Sequence, residues 1–126
     1  ELGMAFDGRF AKAYRHLRRL HVKDGVPYCF SEVYLDETLF KQHKAAFLKA
    51  AAASVIARIP GLEIREARQK ITIADAGVES ARALDLTVGD SVAEVRRYAC
   101  DEHCLIYFAR LEFPTKFVRL EFDLCR

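Results

Sequence analysis

Leu17–Leu35 reads LRRLHVKDGVPYCFSEVYL, and Val95–Phe113 reads VRRYACDEHCLIYFARLEF. The two stretches look like worn copies of one another. Adding 78 to a position in the first gives its mate in the second without a gap: Arg18 meets Arg96, Arg19 meets Arg97 and Phe30 meets Phe108. Each copy reads as a strand opened by two arginines, an acidic turn, and a second strand rich in aromatics. Asp24-Gly25, followed by Pro27, is the strongest hairpin signal in the chain. Along the strand after it, Tyr28, Phe30, Glu32 and Tyr34 share one face, and Cys29, Ser31, Val33 and Leu35 share the other. A duplicated hairpin of this kind can place charged groups from two related halves around one cavity.

Outward from the hairpins, the pattern from Asp36 to about Ile59 is helical, with Phe40, Phe47, Leu48, Val55 and Ile59 on one stripe, and Pro60-Gly61 stops it. Leu62 to Ala74 reads as a strand with a phase fault, because Leu62 and Ile64 fall on even positions but Ile71 and Ile73 on odd ones. Asp75 is placed to cap a short helix carrying Val78, Ala81 and Leu84. Thr87–Asp90 is a turn. After the second hairpin, Pro114-Thr115 turns into a last strand in which Val118, Leu120, Phe122 and Leu124 alternate with Arg119, Glu121 and Asp123. Residues 1–12 are weakly patterned, with Met4 and Phe6 free to pack. Short turns make the strands antiparallel, and both helices are expected on one side of the sheet. The expected class is α+β.

At 126 residues the chain suits one domain, 1–126. Hydrophobic residues make up 52%, including nine Phe and five Tyr, enough for a core. A net charge of +2 gives no general field to attract nucleic acid. No run of about 18 apolar residues is present to span a membrane. Cys29, Cys100, Cys104 and Cys125 sit in or beside apolar strand patterns, which suggests reduced thiols and a cytoplasmic setting.

Four sets of residues could carry chemistry. Glu32 shares a strand face with aromatics, where a carboxylate needs a partner. That partner is either a ligand donor or Arg19 on the neighbouring strand. Arg19 and His21 point the same way, offering a donor fork and a titratable donor; a solvated strand edge, with Arg15, Arg18 and Lys23 as neighbours, is the simpler account of them. Arg110 and Glu112 share a face with Ile106 and Phe108, and in the repeat Arg110 takes the place of Glu32. Either an internal salt bridge or a ligand contact fits Arg110. Cys100-Asp-Glu-His103-Cys104 falls where a hairpin turn is expected, and too few further ligands lie near it for zinc. No phosphate loop, nucleophile elbow or paired-His zinc helix is present. No cofactor is expected.

Arg19-Leu20-His21-Val22-Lys23-Asp24-Gly25-Val26-Pro27, followed by Glu32-Val33-Tyr34-Leu35, resembles the UTRA effector-binding domain of GntR-type transcription regulators, in the subfamily typified by the histidine-utilisation repressor. The family pattern reads roughly Arg-Leu-Arg, two residues, Asp-Gly-x-Pro, then Glu-x-x-Tyr-Leu. Residues 81–97 (ARALDLTVGDSVAEVRR) resemble its later Ala-x-x-Leu, Gly and Val-x-Arg stretch, and residues 107–117 its closing aromatic hairpin. The resemblance implies a chorismate-lyase-like fold, an antiparallel sheet with helices packed against it. It implies a small-molecule effector, a homodimer, and DNA binding only through an N-terminal winged helix absent from this chain, whose sensor domain is itself expected to be truncated at its start. Carried over by position, Arg19 and Glu32 line the pocket, and Tyr107 and Phe113 match positions in the closing hairpin. His21 stands where a second arginine is usual, which favours a carboxylate or neutral polar effector over a phosphorylated one. The alternatives are a chorismate-lyase-like enzyme on the same fold and a plain dimerisation module.

Overall fold

The computed structural model describes residues 2–125. Five strands, β1 (Tyr14–Lys23), β2 (Val26–Asp36), β3 (Glu66–Asp75), β4 (Ser91–Cys100) and β5 (Leu105–Pro114), form one antiparallel sheet in the order β1-β2-β5-β4-β3. Both halves of the repeat are hairpins, β1–β2 and β4–β5. Their inner strands pair with each other so that Glu32 lies opposite Arg110, its own mate in the repeat. Phe30 pairs with Glu112 and Tyr34 with Phe108, so mates trade places about that point. A pseudo-twofold axis therefore passes between Glu32 and Arg110.

Asp24 and Gly25 have φ of 53° and 77°, the two positive values of a tight hairpin turn. The ladder starts with Lys23 opposite Val26 and Val22 opposite Pro27, then slips, so that His21 faces Cys29. Tyr28 is the extra residue of a bulge beside Pro27, which has no N–H to give to the ladder. One inserted residue turns every later side chain of one strand to the other face relative to its partner. Beyond the bulge, Arg18 opposes Glu32 and Arg19 opposes Ser31.

Between the hairpins the expected single helix is three short ones: α1 (Glu37–Gln42), α2 (Lys44–Lys49) and α3 (Ala52–Arg58). Asp36 caps α1 by accepting from the Thr38 N–H at 3.2 Å. Phe40, Phe47, Val55 and Ile56 turn inward against Val33, Leu35, Tyr107 and Ala109 and form the main core. Leu48, expected on that stripe, is exposed because the break at His43 rotates α2. The phase fault lies outside β3, which begins at Glu66 and leaves Leu62 and Ile64 in the preceding loop.

Helix α4 (Val78–Leu84) has Gly77 at its N-cap, and Asp75 instead ends β3. It lies on the opposite face of the sheet from α1–α3, where Ala81 and Leu84 pack on Phe30 and Val92. The helices thus cover both faces, not one. At the other end of the α4 face, Leu2, Met4 and Phe6 pack on Tyr98, Leu105 and Phe108. The strip of sheet between α4 and this N-terminal segment has no helix over it. The last expected strand is absent: a 3₁₀ turn at Thr115–Phe117 leads into an unpaired segment.

All four cysteines are free thiols, but Cys125 is exposed, unlike the strand cysteines. Burial pushes the Cys29 thiol up to about 12. Near neutral pH a thiol reagent is expected to modify Cys125 at once and Cys29 only on unfolding. Mass spectrometry of peptides from briefly labelled protein checks this; early Cys29 labelling would contradict the buried position.

Candidate functional site

On this strip the register lines charged side chains into one row across the sheet. Arg18 opposes Glu32, Glu32 opposes Arg110, Arg110 opposes Arg96, and Arg96 opposes Lys70. The next row is aromatic: His16, Tyr34, Phe108 and Tyr98. The His16 and Tyr34 rings stack at 4.4 Å between centroids, and Tyr34 stacks on Phe108 at 5.8 Å. The row on the other side holds Phe30, Glu112 and Glu94. Charge and ring rows lie side by side because strand side chains alternate and paired residues share a face.

A hollow of about 470 Å³ opens over these rows, lined by Gly3, Glu32, Tyr34, Arg96, Phe108 and Arg110. Glu32 holds its partners loosely: Arg18 at 3.5 Å, Arg110 at 3.6 Å and His16 at 3.9 Å. Arg110 also reaches the buried Glu112 at 3.3 Å, and Arg96 reaches Glu94 at 2.7 Å. Arg96 and Arg110 face each other directly, a like-charge pairing that an acceptor placed between them would relieve. Arg18 is tied from outside by Glu79 of α4 at 2.7 Å. The N-terminal segment roofs the hollow: Arg96 donates to the Leu2 carbonyl at 3.1 Å and Lys70 to the Gly3 carbonyl at 2.8 Å. Gly3 has φ of +66°, and a Cβ there would come within 2.6 Å of the Arg96 guanidinium. Glycine takes that conformation without strain, and any side chain there would have to push the Arg96 guanidinium aside.

The six residues singled out from sequence divide between the two faces. Glu32 and Arg110 meet in the hollow. Arg19, His21, Tyr107 and Phe113 lie on the face covered by α1–α3. The expected convergence of Arg19 on Glu32 is therefore corrected: the bulge at Tyr28 sends them to opposite sides of the sheet, and Arg18 is the β1 arginine beside Glu32. Arg19 instead donates to the carbonyls of Phe47 and Ala50 and so closes the end of α2. His21 approaches the Ser31 hydroxyl at 3.2 Å, and desolvation holds its pKa below the ordinary value. Tyr107 is buried in the main core, where desolvation raises its pKa. Phe113 is half-buried opposite Ala93. Counted back from Tyr34-Leu35, the Glu-x-x-Tyr-Leu spacing falls on Ser31, beside His21, not on Glu32.

Four lining residues, Gly3, Tyr34, Arg96 and Phe108, are not among the candidates read from the sequence. Arg96 was recorded only as the mate of Arg18, and Tyr34 and Phe108 only as strand aromatics. Extending the repeat through the strand pairing would have gathered these last three. Among the described residues no group of three His, Cys, Asp or Glu side chains is placed to hold a metal ion. In the Cys100–Cys104 loop, Asp101 accepts from the N–H groups of His103 and Cys104, which is turn chemistry.

Arg19→Ala is expected to lower unfolding free energy by about 1–3 kcal/mol, since two carbonyls lose a charged donor. Effector affinity should be unchanged. Urea titration and calorimetry check the two halves, and a loss of affinity at full stability would return Arg19 to the site.

Several solved structures share this architecture. A GntR-family transcriptional regulator from Enterococcus faecalis V583 superposes with a TM-score of 0.73 at 20% identity, over 87% of this chain and 80% of that one. The C-terminal domain of the histidine utilization repressor from Pseudomonas syringae pv. tomato gives 0.73 at 17% identity, over 88% and 78%. The effector-binding domain of the Bacillus subtilis trehalose repressor gives 0.73 at 20% identity, over 88% and 78%. No curated protein sequence is significantly similar to the chain. Residues 10–119 match the sequence model of the UTRA domain. Hairpin pairing, helix placement and sequence match agree: this chain belongs to the UTRA-domain family of ligand-sensing regulatory domains.

Proposed function

We propose that this UTRA domain takes its effector in the hollow over Glu32 and Arg110, as the sensing half of a GntR-type transcription regulator. The observation that carries the reading is the joining of Glu32, Arg110, Arg96, Tyr34 and Phe108 around one space of about 470 Å³, large enough for a small metabolite. Arg110 and Arg96 offer forked N–H donors to a carboxylate or carbonyl group. Glu32 accepts from a hydroxyl, amine or ring nitrogen, and the Tyr34–Phe108 stack offers an apolar wall. Arginines and carboxylates nearly balance along these rows, which favours a ligand with one anionic group and a donor over a multiply charged phosphate.

The roof supplies a route from ligand to response. A ligand oxygen at Arg96 competes with the Leu2 carbonyl for the same guanidinium, so binding and the N-terminal segment are linked. In the full-length regulator that segment leads toward a DNA-binding module, and the protein works as a cytoplasmic homodimer. The shift in operator affinity can be no larger than the ligand's differential affinity for the two arrangements.

Screening a panel of small polar metabolites by thermal shift tests the reading. Hits should raise the melting temperature of the wild type, and the same hits should fail on Gly3→Val, whose side chain intrudes on Arg96. Stabilisation of both proteins alike would count against the hollow. Turnover is not part of the reading: chorismate should be recovered unchanged after incubation, and release of an aromatic acid would favour the lyase alternative.

A second location has one observation behind it. His21 and Ser31 touch at 3.2 Å on the other face, with Ser31 at the position of the family's glutamate. Arg19 beside them is already committed to the carbonyls of α2, and so the hollow is preferred.

A further inference from the structure

We infer that the effector taken in the hollow is an α-amino acid with an apolar or aromatic side chain. Its ammonium group sits on Glu32, its carboxylate between Arg110 and Arg96, and its side chain on the Tyr34–Phe108 stack. The inference rests on the hollow as the effector site and narrows the class of ligand.

Ion pairing on this strip leaves one carboxylate over. Arg18 has Glu79 at 2.7 Å, Arg96 has Glu94 at 2.7 Å and Arg110 has Glu112 at 3.3 Å. Glu32 has no cation as close as any of these, and its contacts with Arg18, Arg110 and His16 run from 3.5 to 3.9 Å. Its side chain is only 17% exposed. A carboxylate drawn that far out of water is stabilised by a close charged donor. A ligand hydroxyl would give it one hydrogen bond and no charge, whereas an ammonium group gives both.

The anion belongs at the other end. Arg110 and Arg96 lie opposite each other on neighbouring strands, and a carboxylate between them turns a repulsion into two attractions. Glu32 Oε2 and Arg110 Nη2 are 3.6 Å apart. A cation held by the first and an anion held by the second are therefore close neighbours on one small molecule, as the two groups of an α-amino acid are on their shared carbon. Net charge points the same way. Arg18, Arg110, Arg96 and Lys70 are matched in number by Glu32, Glu79, Glu94 and Glu112. A ligand of no net charge keeps that balance, and a simple acid or a simple amine does not. The wall decides the side chain: Tyr34 and Phe108 stack at 5.8 Å beside the charged row and line the same space. An apolar group is at home there, and an aromatic one adds offset stacking.

Calorimetry with matched probes tests the class. L-phenylalanine is compared with L-phenylalaninamide, which lacks the anion, and with 3-phenylpropionate, which lacks the amine; the other apolar amino acids are run beside them. The best amino acid is expected to bind about 10- to 100-fold more tightly than either kind of analogue. Glu32→Gln should close the gap between phenylalanine and 3-phenylpropionate and leave the gap to the amide open, a selective coupling that a purely structural role for Glu32 would not produce. Thermal melts confirm that each variant folds. Equal binding of phenylalanine and 3-phenylpropionate, both lost on Gly3→Val, overturns the amino acid and keeps the hollow. Amino acids that fail to bind, while another metabolite from the screen binds and is lost on Gly3→Val, have the same meaning. Amino-acid binding that Gly3→Val leaves unchanged overturns the hollow and the inference with it.

Discussion

Glu32→Gln lowers effector affinity by about 10- to 100-fold and leaves the fold intact. A hydrogen bond to a charged group contributes about 1.5–3 kcal/mol, and each 1.4 kcal/mol is tenfold in Kd. Glutamine keeps the shape of the side chain but replaces one carboxylate oxygen with an NH2 that cannot accept. The stability cost is small, no more than about 1 kcal/mol, because the ion pairs it gives up are long: 3.5 Å to Arg18 and 3.6 Å to Arg110. Calorimetry on a hit from the metabolite screen measures the first effect, and urea titration the second. Unchanged affinity would take Glu32 out of the site. Arg110→Ala is a less clean probe. It removes the ligand's donor but also strips the partner from Glu112, which is only 5% exposed. A carboxylate left buried alone costs about 3 kcal/mol or more, so this variant should lose binding and stability together.

Phe47→Ala removes about 3–5 kcal/mol of stability. The ring is fully buried, it stacks on Phe40 at 6.1 Å, and it belongs to the cluster that fastens α1–α3 to the sheet. Truncation leaves a cavity between helix and sheet that Leu35 and Tyr107 cannot collapse into without moving β2 or β5. Domains have only about 5–15 kcal/mol in total, so much of the margin goes. A fall in the urea midpoint at unchanged slope is the expected signature. A loss below about 1 kcal/mol would mean that the helical layer is not packed on the sheet as described.

The hairpins were legible because turn chemistry and period-two alternation act over a few residues. Asp24-Gly25 fixes its own turn, and the copy of that hairpin at 95–113 follows from pattern alone. The helical region was legible as helix but not as three helices. Phe40, Phe47 and Val55 fit one continuous stripe, and the break after α2 falls where a distant group, the Arg19 guanidinium, holds the carbonyls of Phe47 and Ala50. Arg19 and His21 fall on the other face from Glu32 for a related reason. A two-residue turn with an unbroken ladder puts Arg19 on the face of Phe30 and Glu32. The bulge at Tyr28 reverses that, and it is expressed only in the paired strands. Glu32 and Arg110 lie together because they are mates in the repeat, and the pseudo-twofold axis brings mates together whichever face they take. The roof over them was beyond reach, since nothing local in residues 2–4 signals packing on Arg96.

A crystal structure of the chain with a metabolite that raises its melting temperature tests the central claim most directly. The ligand should lie under the Leu2–Met4 segment, with an acceptor atom at hydrogen-bond distance from Arg110 or Arg96 and a donor atom facing Glu32. A ligand found on the opposite face, against His21 and Ser31 below α2, would contradict it.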